Sequence, residues 1–147
     1  MYSVRQLYDL FYKHAGIPIT FDYHHHSFHP DELSEFEALQ MAADTWPNDI
    51  RQCTHYSECR KFEQQRLLEH VMKQHGVTDI SKYPSFAKMQ SEIDKLRMQA
   101  HSDYIIEAIR TYDMPIDIMI EAKAKELALL KYRDIYVYNR KKEKVLL

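Results

Sequence analysis

The pattern of apolar and polar positions changes period several times along the chain, and each change marks an element. Ser3 is placed to cap a helix in which Val4, Leu7, Tyr8 and Phe11 recur at helical spacing until Gly16 stops it. The run Ile17-Pro18-Ile19-Thr20-Phe21 is too short for a helix and reads as a buried strand of a parallel sheet, leading into Asp22, Tyr23, His24, His25 and His26. After His29-Pro30, an acidic opening at Asp31 and Glu32 and the apolar positions Leu33, Phe36, Leu39 and Ala43 predict a second helix. Trp46 to Asp49 reads as a turn, and residues 50–55 as a second strand on which Cys53 and His55 share a face. Helical spacing returns over 60–75, ended by Gly76, and again over 84–100, so the two stretches predict a helical hairpin. A short helix over 104–110 is broken by Met114-Pro115, a third strand covers 116–120, and a stretch rich in strong helix formers runs from about 122 to 136.

This order (helix, strand, helix, strand, enlarged helical connection, strand, helix) is that of an α/β fold. Each strand ends in a potential ligand, Asp22, His55 and Glu121, which is the layout of a barrel whose active site is built from strand ends. With 147 residues, 45% of them hydrophobic, and little Gly or Pro, the chain reads as one globular domain over 1–147 with a real core. The net charge of −2 neither announces nor forbids nucleic acid. The basic residues Lys131, Arg133, Arg140, Lys141, Lys142 and Lys144 are read as a solvated helix end. Cys53 and Cys59 without a secretory signal argue against a disulfide framework, and no apolar run has membrane length, so a cytoplasmic protein is expected.

Imidazole with carboxylate is a donor set that suits zinc, manganese or iron, and the carboxyl ends of strands are where α/β folds bind ligands. Along a continued strand Asp22, His24 and His26 would face one way and His25 the other. Asp22 and His25 therefore serve one pocket only if the strand stops near Tyr23 and the backbone turns. His14, His70 and His75 lie on helical segments away from the strand ends and are read as surface or packing residues.

The segments Asp22-Tyr23-His24-His25-His26, Thr45-Trp46, His55-Tyr56-Ser57-Glu58, His101-Ser102-Asp103-Tyr104-Ile105 and Asp117 to Glu126 resemble, in order, the successive signatures of the UV damage endonucleases. The resemblance implies a TIM-type (β/α)8 barrel, of which this chain matches the C-terminal portion: about three parallel strands with flanking helices, and a helical hairpin inserted at about 61–99. It implies a metal-dependent DNA repair endonuclease that nicks the backbone on the 5′ side of UV photoproducts. By motif position the metal ligands would be Asp22, His25, His55, His101 and Glu121, holding a multi-metal cluster of manganese or zinc. His24 and Lys123 would act in catalysis, Lys123 by reaching the scissile phosphate unless it is an ordinary solvated helix residue, and His26 and His29 would lie near the site. Tyr23 and Tyr56 would stack near a damaged base. The implied partners are damaged double-stranded DNA and a separate N-terminal half of the barrel. Cys53 stands where members commonly carry lysine, and is read either as a small core residue or as a thiolate ligand. Two other readings stay open: an inactive barrel fragment that binds DNA or its complementary fragment, and a sugar isomerase of the xylose isomerase-like superfamily.

Overall fold

The first helix begins where the Ser3 hydroxyl accepts the Gln6 N–H and the Gln6 side chain returns to the Ser3 N–H, a reciprocal capping box. In the computed structural model, which describes residues 2–138, α1 (Val4–Leu7) runs through a π-helical stretch (Tyr8–Tyr12) into α2 (Lys13–Ala15). Gly16 ends it at φ 66°, the left-handed conformation that glycine adopts without penalty. The basic positions Arg140, Lys141, Lys142 and Lys144 lie outside the described residues.

The described residues fall into two compact units, one reaching to Ser57 and including Glu107–Glu121, the other made of Glu58–Ile106 and the chain from Ala122 on. The first unit holds the whole sheet. Its strands are β1 (Phe21–Asp22), β2 (Gln52–Tyr56) and β3 (Ile116–Ile120), parallel and in the order β1-β2-β3. Its further helices are α3 (Tyr23–Phe28) and α4 (Glu35–Ala43). A mixed α/β architecture with three parallel strands is thus borne out.

The register sorts the strand residues onto two faces. Phe21 pairs with Thr54, and Thr54 with Ile118, on a face where Phe21 and Thr54 are fully buried. Asp22 pairs with His55, His55 with Met119, and Cys53 with Asp117 on the opposite face, where Met119 is 54% exposed. Ala38, Leu39 and Ala42 on one side of α4 are sealed completely and form the core of this unit with Phe21. Burial of Phe21 and Leu39 contributes about 1.5–3 kcal/mol each.

Several boundaries differ from the sequence expectation, each for a local reason. The first strand has two residues because Ile19 bonds elsewhere: its N–H donates to Thr45 Oγ1 at 2.8 Å and its carbonyl accepts the Trp46 indole N–H at 2.8 Å. Helix α4 starts at Glu35, not at Asp31, because Ser34 forms a capping box with Glu37 while Asp31 and Glu32 sit at positive φ.

In the second unit α5 (Arg60–Gln74) and α6 (Pro84–Asp94) form the expected helical pair, tied by reciprocal amide bonds between Gln65 and Gln90. α6 stops short of Ala100, whose carbonyl instead accepts the Arg60 N–H at 2.7 Å. The helix expected over 104–110 is absent. The segment there is irregular, with buried Glu63 accepting the N–H groups of Asp103 and Tyr104 and Glu58 accepting that of Ile106. The last helix, α7 (Glu126–Tyr132), begins later than residue 122 because Lys125 stands at φ 50°, outside the helical region, while the N–H groups of Lys123 and Ala124 donate to the Ser102 and Asp103 carbonyls. It continues as a π-helical stretch (Arg133–Val137). Among the described residues no helix is long and apolar enough to cross a membrane.

Candidate metal centre

Asp22 is the last residue of β1, and the chain leaves the sheet there: its backbone is extended (φ −118°, ψ 111°) and its side chain caps α3. Oδ1 accepts the His25 N–H at 2.9 Å, while Oδ2 lies 3.3 Å from His25 Nδ1. The strand therefore stops before Tyr23, and the face assignment made for a continued strand does not hold. Helical turning, not strand alternation, places the three imidazoles. His25 comes back beside Asp22, whereas His24 and His26 are buried, the first against Phe28 and the second against Phe21.

His55 is supplied by β2 one register step from Asp22. Glu121 follows β3, and its N–H donates to the Tyr56 carbonyl at 2.9 Å, extending the pairing one residue past the strand. His55 Nδ1 and Glu121 Oε1 are 3.1 Å apart. One ligand atom each from Asp22, His55 and Glu121 lie within 4.8 Å of one another, and all three side chains are partly accessible. Two carboxylates and one imidazole converging at that spacing fit a divalent cation that takes oxygen and nitrogen ligands, such as manganese or zinc.

The support around this triad is polar and dense. Tyr23, next to Asp22, packs edge-on against Phe21 and Tyr56 and donates its hydroxyl to the Arg110 carbonyl at 2.8 Å. Burial, reinforced by the nearby Glu35 charge, raises its pKa, so the phenol stays protonated and donates. Glu35 receives a two-pronged bond from Arg110 (2.8 and 2.7 Å) and a third from the Tyr112 hydroxyl (2.9 Å). Burial pushes the Glu35 carboxyl up, but these bonds and the Arg110 charge outweigh it and hold the group below the ordinary glutamate value. Burial holds His26 below the usual histidine value, against the opposing pull of Glu35, and its Nδ1 is buried without a hydrogen-bond partner.

The structure thus brings Asp22, His55 and Glu121 together, with His25 at the edge of the group. His101 belongs to the second unit, where it forms an antiparallel bridge with Cys59. Lys123 is exposed in the same unit, its N–H bonded to the Ser102 carbonyl. Cys53 is half-buried on the His55 face and is not one of the three converging residues. Sequence reasoning missed the Glu35, Arg110 and Tyr112 cluster, since no local pattern links residues 75 positions apart. It also missed Glu58 and Glu63 as acceptors for the 103–106 backbone.

No curated protein matches the chain. The family model of UV-endonuclease UvdE, a TIM-barrel family, matches residues 1–145. By that match, which spans nearly its whole length, the chain belongs to the UV-endonuclease UvdE family.

Proposed function

We propose that this chain supplies the C-terminal part of a metal-dependent endonuclease that nicks DNA on the 5′ side of UV photoproducts. The single observation that carries this reading is the convergence of Asp22, His55 and Glu121 within 4.8 Å at the ends of three parallel strands. The carboxylates would hold a manganese or zinc ion by charge, and the imidazole would fix its geometry. Such an ion supplies Lewis acidity at a phosphoryl oxygen and a more acidic bound water. Asp22 is oriented for its part by capping α3, and His55 by its pairing in the sheet. His25 approaches the Asp22 carboxylate and would join as a ligand of a second ion. His101 as a further ligand, with Lys123 and His24 acting on the phosphate and its proton transfers, rests on motif position.

On the face bearing Asp22 and His55, Met119 is 54% exposed, and β3 has no strand on its outer side among the described residues. In a closed barrel that face points inward and both edges are paired. A polypeptide carrying the remaining strands is therefore the proposed partner, in the same chain or a separate one, with damaged duplex DNA as the substrate.

The chain alone is expected to bind Mn2+ weakly and to leave UV-irradiated plasmid intact, whereas joining it to the preceding strands restores incision. Glu121→Ala in the restored enzyme should abolish nicking. Full incision by that variant would refute the ligand assignment, and incision of undamaged plasmid at the same rate would refute the lesion specificity.

A further inference from the structure

Alternation along β2 buries a glutamine amide that the fold leaves unbonded. Gln52, Thr54 and Tyr56 are buried and turn away from the face that carries Cys53 and His55. Thr54 satisfies its hydroxyl by donating to the Asp117 carbonyl at 3.1 Å. Gln52 is 4% exposed, and neither its amide oxygen nor its amide nitrogen has a hydrogen-bond partner among the described residues. Two such groups held out of water and unpaired weaken the fold, which leaves the amide in need of a partner that the chain does not provide.

The free space that Gln52 borders is a cavity of about 400 Å3, within the size range of small-molecule sites. Trp46, Pro47, Met114, Pro115 and Ile116 line it with Gln52, and all belong to the unit that holds the sheet. Its walls are fixed. The Trp46 indole is held by its bond to the Ile19 carbonyl, the turn after Trp46 by the Ile50 N–H on the Pro47 carbonyl at 2.9 Å, and the approach to β3 by the Met114 N–H on the Thr111 carbonyl at 3.0 Å. Gln52 begins β2 and Ile116 begins β3, so the cavity lies at the N-terminal ends of these strands, whereas the candidate metal ligands stand at the other ends. Gln52 is roughly 10 Å along the strand from His55 and on the opposite face of the sheet.

The chemistry of the lining selects the occupant. A glutamine amide presents an acceptor and a donor side by side in one plane, and these pair two-pronged with the amine and a ring nitrogen along one edge of adenine. The indole offers a face on which such a ring stacks, and the prolines add apolar walls. The charged lining residues, Asp49 and Arg51, are exposed, and Arg51 is paired with Asp117 at 3.2 Å, so the group taken in is neutral. We propose that this cavity binds an adenine-type nucleobase, held along its hydrogen-bonding edge by Gln52 and over its face by Trp46. The base is carried either by a free nucleoside or by a strand of DNA, and the site is independent of the nuclease reading above.

Trp46 is the only tryptophan in the sequence, so its fluorescence reports the cavity directly. The full chain is titrated with adenosine and with a short single-stranded deoxyadenosine oligonucleotide, each also with its base amine dimethylated, which removes the donor and keeps the ring. Saturable quenching is expected with half-saturation at about 1 mM or below. Quenching by adenosine identifies a free nucleoside as the source, and quenching by the oligonucleotide alone identifies a DNA strand. Dimethylation should weaken binding at least about tenfold. Gln52→Leu should weaken it equally and yet melt no lower than the parent, because the unbonded amide leaves without stranding a partner. Absence of saturable quenching by both probes, or equal binding of the dimethylated forms, overturns the proposal. So does a Gln52→Leu variant that binds like the parent or melts lower, since lower melting means that the amide serves the fold through a buried water. The nuclease reading stands in each of these cases, because Asp22 and His55 lie on the other face.

Discussion

Asp22 caps α3 with the carboxylate that, on the proposed reading, also holds the ion, and substitution separates the two roles. Asparagine retains the capping oxygen and lacks the charge, whereas alanine loses both. Asp22→Asn is expected to keep its unfolding free energy within about 0.5 kcal/mol of the parent and to bind Mn2+ at least about tenfold more weakly. Asp22→Ala should lose the metal equally and a further ~1 kcal/mol of stability. Denaturant titration alongside metal titration distinguishes the two. Glu35 gives a residue-scale prediction in pH. Its folded-state pKa lies below the ordinary value of 4.5, so the stability it contributes is fully present above pH 4.5 and is lost as pH falls through the lower folded value. The groups facing it are Arg110, Tyr112 and His26. Glu35→Gln should be less stable at neutral pH and show a shallower acid limb when unfolding is followed from pH 7 downward.

At the scale of elements, local signals were legible and distant ones were not. The capping serine before α1, the glycine that ends α2 and the apolar spacing of α5 and α6 all act over a turn or two, so periodicity reported them. The segment after His101 is irregular, and the acceptors of its N–H groups, Glu58 and Glu63, lie about 40 to 50 positions upstream, beyond the reach of any local pattern. The start of α7 moved because Lys125 takes a positive φ that no residue spacing reports. Of the candidate site, the strand-end residues Asp22, His55 and Glu121 could be read, because strand ends are a fixed place in this architecture. The turn that returns His25 to Asp22 was only a condition, since capping by Asp22 is invisible until the strand is known to stop. Glu63→Ala should release the 103–106 segment: amide exchange at Asp103 and Tyr104 should accelerate at least about tenfold, and stability should fall by about 2–4 kcal/mol as two N–H groups and a packed side chain lose their partners.

For the whole molecule, an ion bound by residues from three strands links segments 22, 55 and 121 and must stabilise the arrangement that holds it. At a free Mn2+ concentration of 100 times its dissociation constant, the chain should gain about 2.7 kcal/mol against unfolding. Chelation should reverse the gain, and Glu121→Gln should show none. A thermal shift that is unaffected by this substitution would place the ion elsewhere.

The parallel register has a consequence for evolution and engineering alike. Because Met119 sits opposite His55 and side chains alternate along β3, removing one residue inside that strand would turn its sequence inside out, exposing the isoleucines and burying Asp117. Length changes are therefore tolerated in the irregular stretch 107–115 far more readily than between 116 and 120, where a single deletion shifts the register of the sheet itself.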